Sequence, residues 1–145
     1  MVRPELVTRK LSQLHRYLSE LEAHRGLPYQ DYLSKSDKRR AVERLLELVV
    51  EVAVDLNTHL VTEKRGSPPS DYADSFRAAA ACGILPAGLA ETLAPSAGLR
   101  NVLVHQYGEI DDAKVHGSIT MTLDGFAEYS RSLMTWLESE NPSTS

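Results

Sequence analysis

The chain has 145 residues, of which 42% are apolar and 25% charged, with a formal net charge of −4. These ordinary globular values exclude a disordered or fibrous chain and predict one domain, long enough to bury roughly 70% of the surface its unfolded form exposes. The acidic balance also excludes an overall basic coat, so any nucleic-acid contact must come from a local patch. Cys82 is the only cysteine, which rules out an internal disulfide and a multi-cysteine zinc site. MVRPELVTRK lacks the apolar centre of a signal peptide, and no stretch reaches the roughly 18 uninterrupted apolar residues of a membrane span. The expectation is a cytoplasmic protein without membrane contact.

Leu11, Leu14, Leu18 and Leu21 recur at three- and four-residue steps, which predicts an amphipathic helix stopping near Gly26, ahead of Pro28. PYQDYLS is a short connecting segment, and Ser36 is the expected cap of a second helix from about Asp37 to Glu63. The centre of that helix, LLELVVEVAVDLNTHL, is apolar around most of its circumference and should have neighbours on more than one side. KRGSPPS reads as a loop, after which Ser70 or Asp71 caps a short third helix ending near Gly83. Pro86 suits a first helical turn, and Pro95 should kink or divide the next helical run. The chain is helical again through RNVLVH, and this helix is expected to end near Tyr107 and Gly108. A last helix, roughly Asp111 to Ser139, carries Ile119, Leu123, Phe126, Leu133 and Leu137 inward, with Gly117, Gly125 and several β-branched residues weakening its early part. NPSTS, residues 141–145, reads as a disordered tail behind a single helical domain of residues 1–140. No repeat and no convincing strand pair is visible, so the fold is expected to be all-α, an up-and-down bundle.

The group RNVLVHQY places an arginine, an asparagine, a histidine and a tyrosine within a mostly apolar helical run, where each buried polar group needs a partner or a route to water. Residues five apart on a helix point about 140° away from each other, so Arg100 and His105 make a poor single-sided dyad. A long guanidinium side chain and a histidine at the helix end could still converge, and two copies across a twofold axis would do so more readily. On spacing alone, a surface arginine and a capping histidine are the favoured account of the pair. Tyr107 alone reads as an amphipathic tyrosine covering a helix end.

Lys35, Lys38, Arg39 and Arg40 form a basic run at the start of the second helix. Such runs are usually solvated, but positive charge in a first turn opposes the helix dipole, and an anion, either RNA phosphate or a partner's acidic groups, would offset that. Glu43, Glu47, Glu51, Asp55 and His59 recur every fourth residue. Because such a row drifts about 40° per step, the five cannot face one metal ion, and a polar stripe with solvent-facing or partner-facing ion pairs is expected. Asp55, flanked by Val54 and Leu56, is the member expected to hydrogen-bond within the bundle. His15, His24 and His116 follow no pattern and are expected to face solvent. Neither a metal nor a cofactor is expected.

RNVLVHQY followed by GEID resembles the signature of the HEPN superfamily: arginine, a polar residue, three variable positions, then histidine. More narrowly, the chain resembles the HepT-like toxins, which add a tyrosine two residues after the histidine, where Tyr107 stands. The likeness extends through AVERLLELVVEVAVDLNTHL, PPSDY with Phe76, and the GIL before Pro86. It implies a four-helix-type HEPN bundle with an additional short helix, and a metal-independent endoribonuclease in which Arg100, Asn101 and His105 are catalytic. These residue types suit the chemistry. The ribose 2′-hydroxyl is the nucleophile, histidine serves as base or acid, and a guanidinium binds the crowded phosphorane better than an ammonium does. One chain holds one such histidine, so an acid–base pair requires a composite site in a homodimer, which the resemblance also implies. It further implies a minimal nucleotidyltransferase antitoxin as partner, transferring AMP to Tyr107 and placing charge and bulk beside the site. The competing reading is a non-catalytic helical dimer serving as the binding subunit of that nucleotidyltransferase; the intact Arg100, Asn101 and His105 favour the enzyme.

Overall fold

The leucine ladder near the N-terminus forms the expected amphipathic helix, α1 (Pro4–Glu22), which buries Val7, Leu11, Leu14, Leu18 and Leu21. The computed structural model describes residues 2–105 and 110–140, and the described residues contain no strand. The helices after α1 are α2 (Tyr29–Ser34), α3 (Ser36–Arg65), α4 (Tyr72–Ala81), α5 (Ala87–Leu93), α6 (Pro95–His105) and α7 (Asp112–Glu140). Both Tyr107 and the 141–145 tail lie outside the described residues.

The centre of the bundle is α3, which packs against α1, α2, α4, α6 and α7, as its nearly all-round apolar surface requires. Long-range contacts fix the helix directions. Arg3 and Lys10 of the N-terminal segment meet His59 and Asp55 near the far end of α3, so α1 and α3 are antiparallel. Lys64 meets Glu140 and Tyr129 meets Ala53, so α3 and α7 run parallel. The third arm, between them, is divided among α4, α5 and α6. The result is an all-α, up-and-down bundle of the four-helix type with additional short helices. No helix among the described residues is long and apolar enough to cross a membrane.

Local signals account for most boundaries. Asp71 caps α4 by accepting the Asp74 backbone N–H at 2.8 Å. Gly66, at φ 82°, ends α3 in the left-handed region that side-chain-bearing residues avoid, and its N–H donates to the Thr62 carbonyl. Pro95 opens α6 directly after the α5 break, as a residue lacking an N–H can. Gly125 does not interrupt α7. A Cβ there would lie 3.0 Å from Leu93 Cδ2, so the glycine permits the close approach of α5.

Four expectations are corrected. Ser36 makes no cap; Lys35 is the last extended residue and Ser36 is already helical. PYQDYLS is not merely a connection, because Tyr29–Ser34 forms α2 and buries Tyr32. Pro86 stands just before α5 rather than in its first turn. His116 does not face solvent: it is half-buried, hydrogen-bonds the Leu27 carbonyl and packs against Tyr29 and Tyr32.

One buried polar chain ties three helices together. Tyr129 donates to Asn57 Oδ1 at 2.7 Å, Asn57 Nδ2 donates to Ser75 Oγ at 3.1 Å, and Ser75 donates to the Tyr72 carbonyl at 2.7 Å. Asn57→Ala removes the link between Tyr129 and Ser75, leaving Tyr129 only the Ala53 carbonyl and Ser75 only the Tyr72 carbonyl, and should cost about 1–3 kcal/mol, read as a lower urea midpoint. An unchanged midpoint would mean that the chain relaxes around the loss.

Candidate active site

The inward face of α6 is set by Ser96, Ala97 and Leu103, which are buried, and this orientation determines where the polar residues of RNVLVH go. Arg100 shares the inward side and is largely covered, with 15% of its side chain exposed. Asn101 and His105, four residues apart, lie on the exposed side with Gly98 and Val104. Because α6 is helical through both positions, Arg100 and His105 diverge by about 140°, so a single chain does not form a dyad by direct convergence.

Arg100 is held from three sides. Its Nε and Nη2 donate to one oxygen, Oε1 of Glu51, at 3.2 and 2.7 Å. Its Nη1 donates to Asn101 Oδ1 at 3.3 Å. The Tyr72 ring, at the start of α4, covers a guanidinium face with its centroid 4.7 Å from Cζ, a favourable cation–π distance. The arginine is thus fixed against α3 and α4 while α6 carries the histidine outward.

Glu51 and Tyr72 were missed as site residues. The stripe containing Glu51 proves to be a series of contacts within the chain, because its drift carries each member to a different neighbour. Glu47 pairs with Arg44, Glu51 with Arg100 and Asp55 with Lys10, while His59 accepts the Arg3 backbone N–H. Partial burial, followed by the negative charge of Asp112, raises the Glu43 carboxyl pKa. Burial, with the charge of Arg3, lowers that of His59. Asp55 is exposed and reaches α1 through Lys10 rather than through a bond inside the core. Glu51 has the same kind of apolar flanks as Asp55, in Val50 and Val52, both buried.

The basic run is not gathered around Arg100. Arg39 lies twelve residues from Glu51, about 18 Å along the α3 axis. Its Nη1 donates to the Leu33 carbonyl at 2.8 Å, and Lys35 stands 4.0 Å from Asp31. Lys38 is half-buried and Arg40 exposed. Among the described residues no group of three or more His, Cys, Asp and Glu side chains is arranged to hold a metal ion.

The profile of the family described as "Ribonuclease HepT-like" matches residues 14–133. A curated relative from Aphanizomenon flos-aquae, "tRNA nuclease HepT", is 32% identical over 143 residues, covering 97% of both chains. A "Putative RNase" from Archaeoglobus fulgidus is 31% identical over 108 residues, or 72% of this chain and 81% of that one. In fold, the chain is similar to a tri-AMPylated HEPN toxin of Shewanella oneidensis solved in complex with an MNT antitoxin. The TM-score is 0.81 at 20% identity, covering 90% of this chain and 97% of that one. A toxin–antitoxin structure with AMP-PNP superposes with a TM-score of 0.77 at 19% identity, covering 88% and 97%. A matching family profile over most of the length, and a relative aligned nearly end to end, place the chain in the HepT-like ribonuclease family.

Proposed function

We propose that this chain is the toxin of a toxin–antitoxin pair, a metal-independent endoribonuclease whose site is shared between the two subunits of a homodimer. The observation that carries the reading is Arg100, fixed by Glu51 and Tyr72 next to an exposed Asn101 and His105. A pure scaffold has no need of a restrained guanidinium beside an outward histidine. The relative named as a tRNA nuclease and the one named as a putative RNase support the same chemistry.

In the proposed reaction one His105 takes the 2′-hydroxyl proton while the 2′ oxygen attacks phosphorus. The His105 of the second copy protonates the departing 5′ oxygen. A 2′,3′-cyclic phosphate and a free 5′-hydroxyl result. Arg100 donates to the phosphorane oxygens, and Asn101 orients His105 or donates an amide hydrogen to phosphate. The exposed face of α6, with Gly98, Asn101, Val104 and His105, is the surface that a second copy would meet. Lys35, Lys38, Arg39 and Arg40, remote from Arg100 along α3, would contact RNA phosphates beyond the cut or acidic groups of the antitoxin. The partner is a minimal nucleotidyltransferase that silences the enzyme by transferring AMP to Tyr107, a reading supported by the similar HEPN toxin described as tri-AMPylated and bound to its MNT antitoxin.

The shared site is tested with mixed dimers. A dimer of one Arg100→Ala chain and one His105→Ala chain should retain little activity if all four groups are required. An active monomer in sedimentation at the assay concentration would contradict the shared site.

A further inference from the structure

We infer that Glu51 and Tyr72 are positioning residues that aim Arg100 at the scissile phosphate; this deepens the ribonuclease reading above and rests on it. A guanidinium carries five N–H donors in a fixed plane, with two usable edges. Glu51 Oε1 takes the side edge, formed by Nε and Nη2. One further hydrogen, on Nη1, goes to Asn101. The end edge, where Nη1 and Nη2 each present a hydrogen along the side-chain direction, is the one a phosphate can take in a bidentate grip. A carboxylate acting as a decoy for phosphate would occupy that end edge. Glu51 occupies the side edge and fixes the plane in which the end-edge hydrogens lie.

Tyr72 fixes the remaining freedom. Its ring covers one face of the guanidinium and so limits rotation out of the plane that Glu51 sets. Its own carbonyl is anchored by Ser75, which joins through Asn57 to Tyr129 in the core. The aim of Arg100 is thereby referred to α3, α4 and α7 together rather than to α6 alone.

The test uses the full-length chain with a fluorophore-labelled RNA cut at one step in EDTA, reading kcat and KM separately, beside ¹⁵N NMR of the Arg100 Nε–H. Glu51→Ala should lower kcat roughly tenfold or more with little change in KM, because misaim weakens transition-state contacts more than ground-state binding. Glu51→Gln keeps an oxygen able to accept both N–H groups and should restore most of kcat. In an Arg100→Ala background, Glu51→Ala should cost little more, which a general structural role would not produce. The Arg100 Nε–H signal should be protected from exchange in the wild type and in Glu51→Gln, and lost in Glu51→Ala. Faster cleavage by Glu51→Ala would overturn the inference and make the carboxylate a competitor of phosphate. Additive losses with Arg100→Ala, or an Nε–H signal indifferent to Glu51, would overturn it as well. A wild type that cuts no RNA while its Nε–H stays protected would overturn the ribonuclease reading and leave a structural clamp.

Discussion

His105→Ala and Arg100→Ala should each lower RNA cleavage in EDTA by a factor of about 10² or more, the usual scale for losing an acid–base group or a transition-state donor. The two losses should differ in kind. His105 is exposed at the end of α6, and its truncation removes the proton-transfer group. Arg100→Ala removes a half-buried ion pair and leaves Glu51 without its cation, so some stability should be lost together with activity. Circular dichroism and thermal melting separate the effects: both variants should keep their helical content, and Arg100→Ala should melt below the wild type. Cleavage that survives His105→Ala would remove histidine from the mechanism.

Tyr107→Phe should yield a toxin that its nucleotidyltransferase can no longer silence. The phenol oxygen is the proposed AMP acceptor, and phenylalanine keeps the ring while removing that oxygen. Incubation of the wild type with the partner, ATP and magnesium should add one or more AMP masses, all mapping to Tyr107. Cleavage should then stop with helical content unchanged, since the block is charge and bulk beside the site rather than unfolding. The Phe variant should gain no mass, cleave RNA as the wild type does, and remain toxic when both genes are expressed. Adenylylation of the variant, or its silencing as readily as the wild type, would assign inhibition to another route.

The long helices were legible because their burial follows the helical period. Leu11, Leu14, Leu18 and Leu21 of α1 are all buried, and so are Ile119, Leu123, Phe126 and Leu133 of α7; Leu137 near its end is only partly covered. Pro95 announced the α5–α6 break because a residue without an N–H fits a helix start and not a helix centre. The six-residue α2 is too short for periodicity to show, and its central tyrosine is buried only through contacts with α3 and α7. Arg100 and His105 were legible as residue types, whereas the partners of Arg100 were not. Glu51 and Tyr72 lie 49 and 28 positions away in the chain, and only the packing of α6 across α3 and α4 brings them together. PPSDY reads locally as a turn and helix start, which it is, and nothing local reveals the cation over its tyrosine.

The central claim is RNA cleavage by the 2′-hydroxyl without a metal. Its most direct test is end-group analysis of RNA incubated with the purified chain in EDTA, beside the same oligonucleotide carrying a single 2′-deoxy sugar at the cut. The expected result is a 2′,3′-cyclic phosphate and a 5′-hydroxyl from the first substrate and no cut at that position in the second. Cleavage that needs added magnesium, leaves a 5′-phosphate, or proceeds at the deoxy position would contradict it.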